Sequence, residues 1–262
     1  MENFVAALLV ALVQGITEWF PISSSGHNFI ASLIFGYNGH GLLYDVSIHF
    51  GTLMAVFVYF GKDIIDIVED FLKGRWESDN VRLGFLIVIA TIPAAVAGFL
   101  FFSYFEQIFN NLLIVTFGFA ITTIFLLISS FDFRGKKISR ADNIGFKKAF
   151  LIGCVQIAAL IPGISRSGST IAAGYLAGLK EKEAVKFSFL MSIPVVFGAN
   201  IMSVGNKTLP SEFIWGALVA FFVGLLAIHL AYKYILSNKK NMRWFALYTG
   251  LLTFSLLIYQ LI

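Results

Sequence analysis

The sequence predicts an all-α, polytopic membrane protein, with six spanning helices and two re-entrant helix hairpins arranged as an inverted repeat. Three observations predict it. Of 262 residues, 58% are hydrophobic and only 13% charged, about half the charge of an ordinary soluble domain. Apolar runs of membrane-crossing length recur along the chain. Two polar motifs rich in serine and glycine, near 14–28 and 156–170, break that pattern. The 29 Phe and a mean hydropathy of +0.83 point the same way.

In order, apolar runs occupy about 3–20, 28–36, 45–60, 83–103, 111–130, 149–162, 170–179, 185–204, 212–235 and 243–262. Runs 28–36 and 170–179 are too short for about 30 Å of hydrocarbon at about 1.5 Å per residue. Segments 3–36 and 149–179 are therefore expected to fold as re-entrant hairpins around their motifs, leaving six runs to span. The whole chain, 1–262, forms a single membrane domain, because no polar stretch is long enough for a soluble one. Met1 to Phe4 carry no Lys or Arg, unlike a signal-peptide start. Cys154 is the single cysteine, which excludes an internal disulfide and a thiolate metal cluster.

The basic residues read as a topology signal. Loop 61–82 holds Lys62, Lys73, Arg75 and Arg82. Loop 131–148 holds Arg134, Lys136, Lys137, Arg140, Lys147 and Lys148. Lys180, Lys182 and Lys186 follow, then Lys233, Lys239, Lys240 and Arg243. Of the 19 Lys and Arg, only Lys207 and Arg166 lie elsewhere. Basic and non-basic loops alternate as six crossings require, so the basic loops are expected at the cytoplasm. Hairpin 3–36 then opens outward and hairpin 149–179 inward. The pI near 9.1 is explained this way, with no nucleic-acid partner.

The two motifs align at an offset of 142. Gln14 falls on Gln156, and Ile22-Ser23-Ser24-Ser25-Gly26 falls on Ile164-Ser165-Arg166-Ser167-Gly168. Halves of about 1–130 and 149–262 each read as one hairpin followed by three spans. An odd number of crossings inverts the second half, the pattern of many transporters.

Glu18 and Arg166 are isolated charges at membrane depth, and each alone is costly there. One reading is a structural ion pair joining the hairpins. The other is an anion site, since Arg offers planar bidentate donors to phosphate and each Ser/Gly cluster opens a helix whose N–H groups favour phosphate. Candidate catalytic residues are Glu18, Ser24, His27 and Arg166. Ser24 and His27 are three apart, within reach on one helical face. A histidine serves as nucleophile, or as base for a serine or a water. Glu18 orients His27, moves protons or ligates a metal. Gln14, Thr17, Ser23, Ser25, Ser165, Ser167, Gly168 and Thr170 are candidate substrate-binding residues. Asp45 and His49, at i and i+4, read as a supporting pair, as metal ligands or as a helix-surface hydrogen bond. His40 is expected in an outer loop, His229 on a packed helix face, and Trp19, Tyr59 and Trp76 as interfacial anchors.

At the motifs Gln14-Gly-Ile-Thr-Glu18-Trp-Phe-Pro21-Ile-Ser-Ser24-Ser-Gly26-His27 and Pro162-Gly-Ile-Ser165-Arg166-Ser-Gly-Ser-Thr170, the sequence resembles the undecaprenyl-diphosphate phosphatase family, also called the bacitracin-resistance (BacA/UppP) family. Tyr44-Asp45-Val-Ser-Ile-His49-Phe-Gly51-Thr52 and Phe187-Ser188-Phe-Leu extend the resemblance. It implies hydrolysis of a C55-type polyprenyl diphosphate to the monophosphate and phosphate, which recycles the lipid carrier for cell-envelope glycans. It also implies an inverted-repeat fold in the cell membrane, a site open to the extracytoplasmic side, and dependence on a divalent cation; magnesium or calcium, which favour oxygen ligands, is expected, with Glu18 as the candidate ligand. Glu18, Ser24, His27 and Arg166 match the family's functional positions. Gln14 departs from it, because many members have Glu there; Gln is neither a formal base nor a charged ligand, which throws more of the work onto Glu18.

The expected partners are a polyprenyl-diphosphate lipid, membrane lipids and, as an open option, a second copy in a homodimer. Alternatives are a transporter or lipid flippase, a non-catalytic membrane scaffold, and the acid phosphatase superfamily of lipid phosphatases, whose upstream Lys-and-Arg signature is missing here.

Overall fold

The computed structural model describes residues 2–37, 41–131, 138–204 and 211–262. His40, Arg134, Lys136, Lys137 and Lys207 fall outside them. The described residues form twelve α-helices and no sheet: α1 (Glu2–Thr17), α2 (Ser24–Phe35), α3 (Gly41–Tyr59), α4 (Gly61–Leu72), α5 (Asp79–Leu100), α6 (Phe102–Ile108), α7 (Leu112–Ser130), α8 (Phe146–Ala158), α9 (Arg166–Leu176), α10 (Glu181–Val204), α11 (Ser211–Leu230) and α12 (Met242–Leu261).

Local chemistry sets several boundaries. Ser23, Ser78 and Ser165 cap α2, α5 and α9 by accepting from the N–H of Gly26, Val81 and Gly168, and Asn111 caps α7 twice over. These groups satisfy donors that a helix start leaves open. Gly36 ends α2 in the left-handed region, where glycine has no Cβ to clash. Pro93 and Pro194 lie inside α5 and α10, as spanning helices tolerate.

Among the described residues, five helices are long and apolar enough to cross a membrane, and a sixth span results if α3 and α4, bent by 73°, are counted together. Large apolar side chains such as Phe99, Phe222, Leu226, Leu251 and Phe254 stand exposed on their outer faces. On a soluble protein such a surface is a liability; on a multi-pass membrane protein it faces lipid. The expected hairpins correspond to two short helix pairs, α1–α2 and α8–α9. Small residues bring the helices together: a Cβ on Gly51 of α3 would stand 2.1 Å from the Ala217 carbonyl of α11, a backbone approach typical of membrane bundles.

Three expectations change. Residues 61–72, expected in a loop, form α4, because Ile64, Ile67, Val68 and Phe71 recur at helical spacing among acidic residues. The segment expected as loop 104–110 holds α6. Trp19 is no interfacial anchor. It is 1% exposed, packed edge-on against Phe189 and under the Arg166 guanidinium. Trp76 is exposed as expected, and His229 is half-buried between Tyr59 and Tyr234.

The basic loops meet at one end of the bundle. Lys186 pairs with Asp63 at 2.5 Å, Arg140 with Asp79 at 2.7 Å, and Glu183 accepts from the Ala141 N–H at 2.8 Å. The Ile138 N–H donates to the Gly178 carbonyl and the Ile138 carbonyl accepts from the Lys180 N–H, and Lys239 reaches the Phe131 carbonyl.

Candidate active site

Each short helix pair ends its first helix in a motif and starts its second from a serine cap. The two loops interlock. Ser167 Oγ of the second donates to the Phe20 carbonyl of the first at 3.0 Å, and Gly26 of the first lies against Gly163 of the second. Thr122 on α7 fastens the second loop by donating to the Gly163 carbonyl at 2.9 Å and accepting from the Ser165 N–H at 2.8 Å. The N-termini of α2 and α9 thus converge on one cavity of about 900 Å³, counting the space at its mouth. Both carry the partial positive charge that favours an anion.

Glu18 is the centre of the polar network. It is buried, and both of its oxygens are engaged. Oε1 accepts from Arg166 Nη2 at 2.5 Å. Oε2 accepts from Ser24 Oγ at 2.6 Å and from Gln14 Nε2 at 3.0 Å, and it lies 3.3 Å from His49 Nε2. A carboxylate at this depth needs such company. The Glu18–Arg166 pair expected as the structural alternative is therefore formed; losing one partner of a buried pair costs roughly 3–5 kcal/mol. Arg166 also donates to the Ser188 carbonyl at 3.4 Å. A guanidinium has five N–H donors, so this pairing leaves others for a ligand.

Gln14 is more than a weakened glutamate here. Its Oε1 accepts from Asn28 Nδ2 at 2.8 Å, which turns its Nε2 toward Glu18. Asn28 Nδ2 also donates to Asp45 Oδ1 at 3.0 Å. A second carboxylate at 14 would oppose Glu18 as a like charge and bring no donor.

The serine motif does not bring its own histidine to the cavity. The expected Ser24–His27 hydrogen bond is not formed: His27 Nδ1 meets the Ser23 carbonyl at 2.7 Å and Nε2 meets Tyr248 Oη at 2.7 Å. One helical turn places Ser24 inward and His27 toward α12. The imidazole lining the cavity is His49, from α3. Its Nδ1 donates to the Asp45 carbonyl at 2.7 Å, so the Asp45–His49 spacing does make the helix hydrogen bond that was one of its readings. The ring also turns Nε2 onto Glu18. With Nδ1 committed to a carbonyl, a hydrogen bond across the Nε2–Oε2 gap holds one proton shared between imidazole and carboxylate.

Among the expected substrate-binding residues, Ser23, Ser25, Ser165 and Ser167 line the cavity with Glu18, Ser24 and Arg166. Gln14, Thr17, Gly168 and Thr170 stand behind the wall. Thr17 Oγ1 bonds back to the Val13 carbonyl, and Thr170 Oγ1 to the Arg166 carbonyl and Ser188 Oγ. From the sequence, His49 was expected only as half of a supporting or metal-ligating pair with Asp45, and neither Asn28 nor Tyr248 stood out. The spacing of Asp45 and His49 signals the first, and the position of Asn28 inside the motif signals the second. Nothing local marks Tyr248, whose role depends on where α12 packs. Opposite the polar end, the cavity wall is apolar: Val46, Phe109, Ala159, Leu160, Val195 and Val196.

A family model described as bacitracin resistance protein BacA matches residues 7–255. The chain belongs to that family. Among similar proteins, the undecaprenyl-diphosphatase of Methanococcus vannielii is 35% identical over 99% of this chain and 100% of its own length. That of Thermosipho melanesiensis is 39% identical over 92% of this chain and 93% of its own, and that of Trichlorobacter lovleyi 37% identical over 90% of each. The family match therefore spans both motifs and the helices between them.

Proposed function

We propose that the chain is a phosphatase that hydrolyses undecaprenyl diphosphate, or a closely similar polyprenyl diphosphate, to the monophosphate and inorganic phosphate, returning the lipid carrier to cell-envelope glycan synthesis. The observation that carries this reading is the hydroxyl of Ser24 donating to the carboxylate of Glu18 at 2.6 Å, with Arg166 on the other carboxylate oxygen and two helix N-termini aimed at the same cavity.

The reaction follows from these parts. The terminal phosphoryl group enters between the α2 and α9 N-termini, and Arg166 turns free donors to its oxygens, stabilising charge in the transition state. Ser24 Oγ attacks the terminal phosphorus. The bond from that phosphorus to the bridging oxygen breaks, the prenyl monophosphate leaves, and the Ser24 proton passes to Glu18. Water then attacks the phosphoserine; as the bond from phosphorus to Ser24 Oγ breaks, Glu18 returns its proton to Ser24, and the water's proton passes to the freed Glu18 carboxylate beside His49 and leaves with the departing phosphate. In this scheme Glu18, rather than His27, is the base for Ser24. The apolar wall formed by Phe109, Leu160, Val195 and Val196 receives the first prenyl units.

The reading sets the protein in the plasma membrane with its basic loops cytoplasmic. Asn200 lies about 28 Å along α10 from Glu181, at 1.5 Å per residue, so the cavity mouth by Phe109 and Asn200 opens to the extracytoplasmic side. It also takes halves 1–130 and 149–262 as an inverted repeat, in keeping with α1 packing on α11 as α8 packs on α5. The transporter alternative leaves the Ser24–Glu18 bond without a task.

The magnesium or calcium ion that the family resemblance implies does not fit Glu18 as a protein-held ion, because both oxygens already face donors and two of the neighbours are Arg166 and His49. No step above uses one. A cation requirement then belongs to the diphosphate, whose oxygens are hard ligands of the kind these ions prefer. Equilibrium dialysis with radioactive calcium should detect no site dependent on Glu18 until a diphosphate is added; stoichiometric binding to the substrate-free protein, lost in Glu18→Gln, would refute this.

The test of function is direct. The purified chain in detergent should release phosphate from a long-chain prenyl diphosphate. No release under saturating substrate, from protein that unfolds cooperatively, would overturn the assignment.

A further inference from the structure

His27 sits within the serine motif yet faces away from the cavity, and Tyr248 on the last helix meets it. We propose that His27 and Tyr248 form a strut that fixes the backbone of Ser23 and so aims Ser24: both are positioning residues, and neither touches the reacting atoms. The proposal rests on the reading of Ser24 as nucleophile.

Ser23 is the one non-glycine residue with positive φ among the described residues, at φ 69° and ψ 96°. Such a conformation persists only where surrounding contacts over-determine it. The Ser23 carbonyl accepts from the His27 side chain at 2.7 Å and from the His27 N–H at 3.2 Å. The corresponding Ser165 of the second loop has an ordinary φ of −70°, and Ser169 stands where His27 would. The side-chain strut therefore accompanies the strained loop, the one that carries the hydroxyl.

The partners also settle the tautomer. A carbonyl only accepts, so Nδ1 carries the proton. Nε2 of the neutral ring is then an acceptor, and the Tyr248 hydroxyl donates to it at 2.7 Å. The opposite tautomer would turn a lone pair toward the Ser23 carbonyl and release it. The ring is held in place by stacking on Tyr248 at 5.6 Å and by the edge of Phe119 at 5.3 Å. Phe245 beside Phe20, 5.8 Å apart, presses the same helix onto the same loop. Without the Tyr248 hydroxyl, Nε2 would face the apolar outer side of the bundle unpaired.

Two measurements test this on the full-length protein. Nitrogen-15 NMR of histidine-labelled protein should find His27 protonated at Nδ1, with the Nε2 resonance moving toward that of an unbonded imidazole nitrogen in Tyr248→Phe. A wild-type His27 protonated at Nε2 overturns the strut whatever the turnover. In the phosphate-release assay, His27→Asn puts an amide donor where Nδ1 was, whereas His27→Gln reaches the Nε2 position. His27→Asn should keep turnover within about tenfold of wild type, and His27→Gln and His27→Ala should lose about 100-fold, the scale of a misplaced nucleophile. Tyr248→Phe should lower kcat about tenfold with KM unchanged. If His27→Asn is as inactive as His27→Ala, the ring itself takes part and the strut is wrong; if Tyr248→Phe keeps wild-type kcat, Tyr248 has no part in it. Wild-type protein without phosphatase activity would instead sink the proposed function, with the NMR result still deciding the strut.

Discussion

The loop at 18–27 and the loop at 160–169 are built alike and equipped differently. In each, a serine caps the following helix, and the cap oxygen lies 3.3 Å from the serine two residues on, Ser23 to Ser25 and Ser165 to Ser167. Between those serines the first loop has a hydroxyl, Ser24, and the second a guanidinium, Arg166. The first loop carries a carboxylate, Glu18, where the second has Leu160. In the proposed mechanism one frame presents a nucleophile with its base, and its counterpart presents the charge that draws the substrate. Neither loop holds a phosphatase alone, and the Glu18–Arg166 contact at 2.5 Å is where the two are joined.

The largest expected effect breaks this asymmetry at its centre. Ser24→Ala should lower kcat by about 1000-fold or more, as loss of a nucleophile does. Ser167→Ala, in the other loop, removes hydrogen bonds to the Phe20 carbonyl and the Ser165 hydroxyl and should cost no more than about tenfold. Equal losses from the two would mean that Ser24 is not the nucleophile. Next comes Arg166→Lys, which keeps the charge and gives up the fork. A fall in kcat/KM of about 100-fold is expected, with the unfolding temperature little changed. A marked drop in that temperature with normal turnover would favour the purely structural ion pair.

Thr122→Val sharpens the comparison through stability, because Thr122 fastens only the second loop. It would leave the Gly163 carbonyl and the Ser165 N–H without their partner, at a cost of about 2 kcal/mol, readable as a lower unfolding temperature in detergent. An unchanged temperature would mean that the loop is held by other contacts. The smallest effect is expected at Asp70, in the charged last turn of α4, where Arg75 of the following loop and Asn80 of α5 meet it. Hydrogen bonds from Asn80 and then Arg75 hold its carboxyl below the ordinary aspartate value of 3.8. A depressed folded-state pKa stabilises above the unfolded value and ceases to as pH falls through the folded one. Asp70→Asn should therefore flatten the acid end of the unfolding-temperature profile, below about pH 4, and leave turnover unchanged. A mutant profile that still falls as in wild type would refute it.

Much of the molecule was legible from its residues. The apolar runs announced the helices, because lipid leaves the backbone few other ways to satisfy itself. Glu18, Ser24 and Arg166 stood out because polar groups at membrane depth need a reason. The helix over 61–72 was hidden by the charges that marked it as a loop, since an amphipathic helix at a membrane surface carries both kinds of residue. His27 was paired with Ser24 because three residues apart is one helical face, a rule that ignores what each side chain meets outside the helix.

By itself, the sequence determined the membrane class, the two motifs and the chemistry each contains, since these depend on composition and on neighbours a few residues apart. Only the tertiary structure decided which imidazole faces Glu18, that Gln14 turns its amide toward that carboxylate, and that Tyr248 on the last helix meets the first loop. Those pairings join positions 31 to 221 residues apart or depend on a partner that orients an amide. Helical periodicity says which face a side chain takes; the packing of the helices decides what stands opposite.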